Sequence, residues 1–262
     1  MEEINHNFER IFPKDNVIVM LHAHADDESF LSAGIINEFI ARNYNVLLIY
    51  LATGLIEDEK RTIIRREELA EALKILDVKN VEFLEYCEPK YVKNGKPLFL
   101  QSIKEVSNGI KTIIEKRDIK RYTLFSYDRN GGYGNKDHLV VHKAGRLLFE
   151  NLSLPSLLFE VTIPRNVYLR WLKKNKNNVP ELCLPKLNYW SAEFGLKNEE
   201  INYFYLLSSV QIKLKKEALG KHVSQIKNTE FPLSLTNVDF IELFGKEYFA
   251  YVSRSMKSTE RI

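Results

Sequence analysis

The feature that most constrains this chain is an alternation. Short, mostly apolar runs at residues 17–21, 46–51, 81–84, 122–125 and 157–161 are separated by stretches whose apolar residues recur at helical spacing. Phe30, Leu31, Ile35, Ile36, Phe39 and Ile40 make the first such stretch, and Leu69, Leu73 and Leu76 mark a second on the charged frame 61–77. Ile103, Val106, Ile110, Ile113 and Ile114 make a third, and Leu139, Val140, Ala144, Leu147 and Leu148 a fourth. A strand without internal alternation is one buried on both faces. Strands and helices taking turns predict an α/β fold: a Rossmann-like, mostly parallel sheet with helices on both faces. We expect residues 1–163 to form this core.

Residues 164–262 are expected to form a C-terminal extension or lid of the same domain, packing on or over the site. Within it, 165–200 is rich in Lys and Asn, broken by Pro180 and Pro185, and punctuated by Trp171, Tyr189, Trp190 and Phe194. The aromatic stretch 168–194 could line a sugar or acyl pocket, or simply be core. Residues 201–207 look strand-like, 213–226 helical and 247–252 a final strand.

Composition removes several function classes. The 262 residues carry 38 Lys and Arg against 35 Asp and Glu, a balance of +3. With the signs mixed along the chain, and Lys173, Lys174 and Lys176 the only short basic cluster of note, no nucleic-acid surface is expected. Cys87 and Cys183 lie in no CxxC and imply no disulfide framework. The apolar runs are too short to span a bilayer, and the polar, acidic start lacks the character of a signal peptide. A cytoplasmic protein is the expectation, with a homo-oligomer left open.

In a sheet of this kind the chemistry gathers just beyond the carboxyl ends of the strands. The first strand runs into Leu21-His22-Ala23-His24-Ala25-Asp26-Asp27-Glu28-Ser29. There is no GxGxxG, Walker A or GxSxG motif, so a nucleotide-binding reading has only the fold class behind it. His24 and Asp27, three apart at a strand-to-helix turn, can turn a nitrogen and an oxygen onto one ion, leaving Asp26 free to act on a metal-bound water. Helix capping is the other reading of these acids. The fourth strand runs into a loop with Gly131, Gly132 and Gly134, then Asn135-Lys136-Asp137-His138 opening a helix. His138 can complete a His-Asp-His set, the open three-ligand arrangement of a catalytic zinc site. His142, one turn on, is read as a packing or hydrogen-bonding residue.

These segments resemble the PIG-L/LmbE family of zinc-dependent N-acetylglucosaminyl deacetylases. Ala23-His24-Ala25-Asp26-Asp27-Glu28 is similar to the family's AHPDDE, and Asn135-Lys136-Asp137-His138 in part to its HPDH. Gly131-Gly132-Tyr133-Gly134, the helix around Arg65-Arg66-Glu67-Glu68-Leu69 and the late His222-Val223-Ser224-Gln225 also resemble family stretches. The resemblance implies zinc, one per chain, on His24, Asp27 and His138, although ligand type alone admits iron or manganese. It implies Asp26 as general base, Tyr133 polarising the amide carbonyl and Asp137 orienting its neighbours. Glu28 would brace the loop or contact substrate, and Arg65, Arg129 and His222 are further candidates for substrate contact.

Two positions depart from the pattern. Ala25 replaces a proline, which loosens the turn. Asn135 replaces a histidine that would assist proton transfer; an amide can donate a hydrogen bond but cannot deliver a proton. His222 is a candidate replacement. The expectation is therefore a hydrolase that removes acetyl from a small N-acetylated amino-sugar conjugate. The alternatives are a deacylase of another amide and a weakly active or non-catalytic sugar-binding protein on the same fold.

Overall fold

In chain order the elements are β1 (Glu2–Glu3), α1 (Phe8–Ile11), β2 (Val17–His22), α2 (Asp27–Leu31), α3 (Ala33–Ala41), β3 (Val46–Gly54), α4 (Glu59–Ile75), β4 (Asn80–Cys87), α5 (Ile103–Lys116), β5 (Tyr122–Tyr127), the distorted turn α6 (Gly131–Gly134), α7 (Lys136–Glu150), β6 (Ser156–Thr162), α8 (Arg165–Lys174), β7 (Tyr203–Leu206), α9 (Ser209–Leu219), α10 (Asn237–Phe244) and β8 (Lys246–Val252). They come from a computed structural model that describes residues 1–54, 59–87, 97–151, 156–175, 193–227 and 230–253. Lys176, Pro180, Cys183, Pro185, Tyr189 and Trp190 lie outside the described residues, as does much of the expected aromatic stretch.

The strands form one sheet in the order β1-β7-β8-β6-β5-β2-β3-β4. Every pairing from β4 across to β6 is parallel, while β8 runs antiparallel to both β6 and β7. The mostly parallel sheet flanked by helices is therefore present, and residues beyond 163 add two strands to it. From β2 the chain winds outward through β3 to β4, then returns to β5 on the other side of β2. Two neighbouring strands thus send their connections in opposite directions, and their carboxyl ends leave a crevice. Both loops singled out from the sequence open there.

Central position explains the continuous apolar runs. Ile18, Val19 and Met20 of β2 are fully buried, and every residue of β5 is buried. Phe8, Phe12 and Phe39 pack edge-to-face beside them, with ring centroids 4.9–5.1 Å apart. On the helical layers, α5 packs against α7, and α9 packs against α2, α3 and α4.

Several elements differ from expectation. The first predicted helix is two, broken at Ser32, which ends α2 and opens α3. The break is held from far along the chain: Glu247 of β8 accepts hydrogen bonds from the backbone N–H of Gly34 (2.9 Å) and Ile35 (2.8 Å), capping α3. Lys215 of α9 binds the same carboxylate at 2.7 Å. A Cβ at Gly34 would sit 2.6 Å from Leu207 Cγ, so any larger residue there has to displace Leu207.

The late helix starts earlier and stops sooner than 213–226. Ser208 and Gln211 form a reciprocal capping box, and the helix ends at Leu219 ahead of Gly220. Residues 165–174 are helical, burying Tyr168, Trp171 and Leu172. The short α10 was not expected; Thr236 caps it by accepting from the Asp239 N–H. Among the described residues no helix is long and apolar enough to cross a membrane.

Candidate active site

Beyond β2 the chain turns sharply into α2. Asp26 sits at φ 131°, a left-handed conformation that is costly for a residue with a Cβ. It occupies the N-cap position, yet its side chain makes no capping hydrogen bond. The capping reading therefore fails for Asp26, and its carboxylate is left for other work.

Beyond β5 the chain enters the glycine loop. Gly131, Gly132 and Gly134 all have positive φ. At Gly131 a Cβ would also lie 3.0 Å from His138 Cβ, so no other residue fits without displacing His138. Asp128 anchors this loop from below. Its Oδ1 accepts from the N–H of Asn130 (2.7 Å) and Gly132 (3.2 Å), and its Oδ2 accepts from the Thr162 hydroxyl. Burial pushes the Asp128 carboxyl up to about 6, against those hydrogen bonds.

Where the two loops meet, one potential ligand atom from each of His24, Asp27 and His138 lies within 4.8 Å of the others, and all three residues are buried. Their hydrogen bonds fix which atoms are free. His138 Nδ1 lies 3.1 Å from the Gly131 carbonyl, which can only accept, so Nδ1 carries the proton and Nε2 a lone pair. That Nε2 is fully buried without a hydrogen-bond partner, 3.2 Å from Asp27 Oδ1. His24 Nε2 donates to Asp137 Oδ2 at 3.0 Å, which leaves Nδ1 facing Asp27 Oδ2 at 3.7 Å. A carboxylate behind a ligand histidine in this way is the usual support of a metal site. Asp27 Oδ2 is further held by the Tyr127 hydroxyl (2.6 Å) and the His24 N–H (2.8 Å).

Two imidazole lone pairs turned toward one carboxylate, with an orphaned buried nitrogen among them, are the donor set of a divalent cation. Burial would raise the Asp27 carboxyl, but His138, His24 and the Tyr127 hydrogen bond hold it well below the usual carboxylate range. Burial would lower His24, but Asp137 and Asp27 raise it.

Around this centre the other residues separate by reach. Burial and the adjacent Asp27 charge push Asp26 up to about 7, partly offset by His222, Arg65 and His24. Arg65 is buried, not a surface charge, with Nη2 3.4 Å from the Ala25 carbonyl. Tyr133 stands edge-on to His138, centroids 5.0 Å apart, and burial with the Asp27 and Asp26 charges raises its hydroxyl well above its ordinary value. Asn135 uses Oδ1 to accept from the Asp137 N–H at 2.8 Å, capping α7.

Three further candidates for substrate contact are held by partners within the protein, and Glu28 braces the loop. Glu28 is fully buried; Oε2 accepts from the Asp26 N–H at 3.0 Å, and Oε1 pairs with His222 Nε2 at 2.9 Å. Burial works against the Glu28 charge, but His222 outweighs it and the carboxyl falls to about 2. His222, 1% exposed, lies behind Glu28 with no open face toward a bound molecule. Arg129 is exposed and points away, to Glu200 Oε1 at 2.5 Å.

Sequence reasoning missed Tyr127. Besides its bond to Asp27, its hydroxyl accepts from the Ala23 N–H at 2.7 Å, and its ring stacks on His138 at 4.0 Å. Its position at the end of a central strand was the available signal. His142 hydrogen-bonds, with Nδ1 2.9 Å from the Tyr127 carbonyl and 3.2 Å from Glu160 Oε1.

Comparison with known proteins agrees with this geometry. Residues 19–149 match the PIG-L family, described as GlcNAc-PI de-N-acetylase. The chain belongs to the PIG-L family. The match spans both loops and every residue of the His24–Asp27–His138 centre. Within and around the PIG-L family, the chain is 27% identical over 153 residues to a mycothiol S-conjugate amidase of Streptomyces coelicolor, covering 51% of each. It is 25% identical over 255 residues to a 1D-myo-inositol 2-acetamido-2-deoxy-alpha-D-glucopyranoside deacetylase of Acidothermus cellulolyticus, covering 88% of this chain and 87% of that one. The chain spans about half the length of several curated relatives it matches, and most of the length of others. In fold it is similar to the zinc-inhibited form of teicoplanin deacetylase Orf2, with a TM-score of 0.64 at 14% identity over 93% of this chain and 100% of that one.

Proposed function

We propose that this protein is a metal-dependent amide hydrolase that removes the acetyl group from a small N-acetylglucosamine-type conjugate. The observation that carries the reading is the convergence of His138 Nε2, His24 and Asp27 beside an Asp26 carboxylate that caps nothing. The names of the relatives, deacetylases of acetamido sugars and an amidase, point to the same bond.

His24, Asp27 and His138 would hold the cation, which we take to be zinc. When bound there it supplies Lewis acidity, bringing a water's pKa toward about 7 and polarising the acetyl carbonyl. The chain supplies the rest. Asp26 takes the proton of the attacking water on its carboxylate and returns it to the departing amine. Tyr133 stays protonated in its buried setting, so its hydroxyl can donate to the oxyanion, a contribution of about 3 kcal/mol for a well-placed donor. Asn135 can donate only through its amide, since its oxygen is held by the α7 cap. Both proton transfers therefore fall to Asp26. Arg65, beside Asp26, favours the ionised carboxylate.

A non-catalytic sugar-binding protein is the rival that Asn135 favours. Acetate release from a panel of N-acetylglucosaminides, assayed with zinc, separates the two. Turnover in the wild type that disappears in Asp26→Asn supports the hydrolase. Sugar binding without acetate from any member of the panel supports the rival.

A further inference from the structure

Asp26 is held in a strained conformation, and the structure shows what opposes its relaxation. Its N–H donates to Glu28 Oε2 at 3.0 Å. The other oxygen of Glu28 is held twice, by the Ser29 hydroxyl at 2.6 Å and by His222 Nε2 at 2.9 Å. His222 arrives from the turn that follows α9, 194 residues along the chain from Glu28. Two residues later Ser224 makes a second attachment: its N–H and hydroxyl both donate to Glu68 of α4, at 2.8 and 2.6 Å. Glu68 lies three residues from Arg65, on the same face of α4, and Arg65 reaches the carbonyl just before Asp26. The turn is itself compact: the His222 carbonyl accepts from the N–H of both Gln225 (2.9 Å) and Ile226 (2.8 Å).

The geometry points to the His222-Val223-Ser224 turn as a positioning latch that fixes Asp26 by clamping Glu28 on one side and the Arg65-bearing helix on the other. It rests on the reading of Asp26 as the base. His222 is a positioning residue here: it touches neither substrate nor cation and acts through Glu28. Without His222, Glu28 Oε1 keeps only the hydroxyl of its chain neighbour Ser29, so the side chain could swing with that local turn and the Asp26 amide would lose its acceptor. The left-handed turn would then relax and carry the Asp26 carboxylate away from the crevice. The latch also gives a physical account of why the His and Ser stand two apart: each reaches a different helix from one tight turn.

Amide hydrogen exchange tests the latch without reference to catalysis. In His222→Leu the Asp26 amide is expected to exchange about tenfold faster or more, while the amides of β2 keep their protection. His222→Gln, which restores a donor to Glu28, is expected to return most of it. Ser224→Ala lies on the surface, leaves folding intact and is expected to give a smaller increase at Asp26. In acetate release, His222→Leu should lower kcat by about 10- to 100-fold with KM and metal content near wild type. Unchanged Asp26 exchange in folded His222→Leu overturns the latch, as does unchanged exchange in Ser224→Ala should His222→Leu fail to fold. If the wild type hydrolyses nothing on the panel, the proposed function falls while the exchange result still decides the latch.

Discussion

At the scale of single residues, the account depends on a division of labour between adjacent acids. Asp27 is ionised and enclosed by donors, as a ligand must be. Asp26, one residue away, is raised by burial and by Asp27 itself, as a base must be. Asp26→Asn is therefore expected to reduce kcat by about 10²- to 10⁴-fold with the bound metal retained, as read by steady-state acetate release alongside metal analysis. Loss of the metal in that variant would make Asp26 a ligand instead. Asp137→Asn is expected to keep the fold but weaken metal affinity by about 10- to 100-fold, measured by competition with a chelating dye, because a neutral amide then replaces the carboxylate that orients His24. The sequence made these residues legible because they are crowded into two short segments. It concealed Tyr127, which looks like one more core aromatic in a buried strand. It also made His222 and Arg129 attractive for their chemistry while saying nothing about where each points.

At the scale of elements, long-range caps and pairs hold the site's supports in place. Glu247 binds two α3 amides and the ammonium of Lys215, with both of the paired side chains 1% exposed. Glu247→Ala leaves a buried cation without its partner and should cost about 3–5 kcal/mol in urea unfolding at neutral pH. A loss no larger than that of a surface substitution would show that the pair is dispensable. Glu160 gives a pH signature. Burial would raise its carboxyl, but hydrogen bonds from His142 and Arg146 bring it below its ordinary 4.5. A depressed carboxyl contributes stability above its unfolded value, and that stability is lost as pH falls through the folded value. The stability advantage of the wild type over Glu160→Gln should hold at pH 7 and shrink steadily below 4.5. An advantage that grows on acidification contradicts the assignment.

At the scale of the whole molecule, the order of the strands makes the site. Parallel strands buried on both faces read as unbroken apolar runs, so the β2–β6 core was visible in the sequence, and so were the loops at its carboxyl edge. The far side of the sheet was less legible. The two-residue β1 carries no periodicity, and the break between α2 and α3 depends on a carboxylate more than two hundred residues away. Loop chemistry hid α8 and α10, whose buried faces become evident only once β8 is in place. What the fold does is bring the ends of β2 and β5 together at the point where the chain reverses its winding, and so close His24, Asp27 and His138 on one position. The most direct test is metal content by mass spectrometry on protein purified without an affinity tag and offered zinc. The account predicts about one zinc per chain in the wild type and in Asp26→Asn, and none in His138→Ala. Wild-type protein that takes up no metal, or His138→Ala that retains it in full, would contradict it.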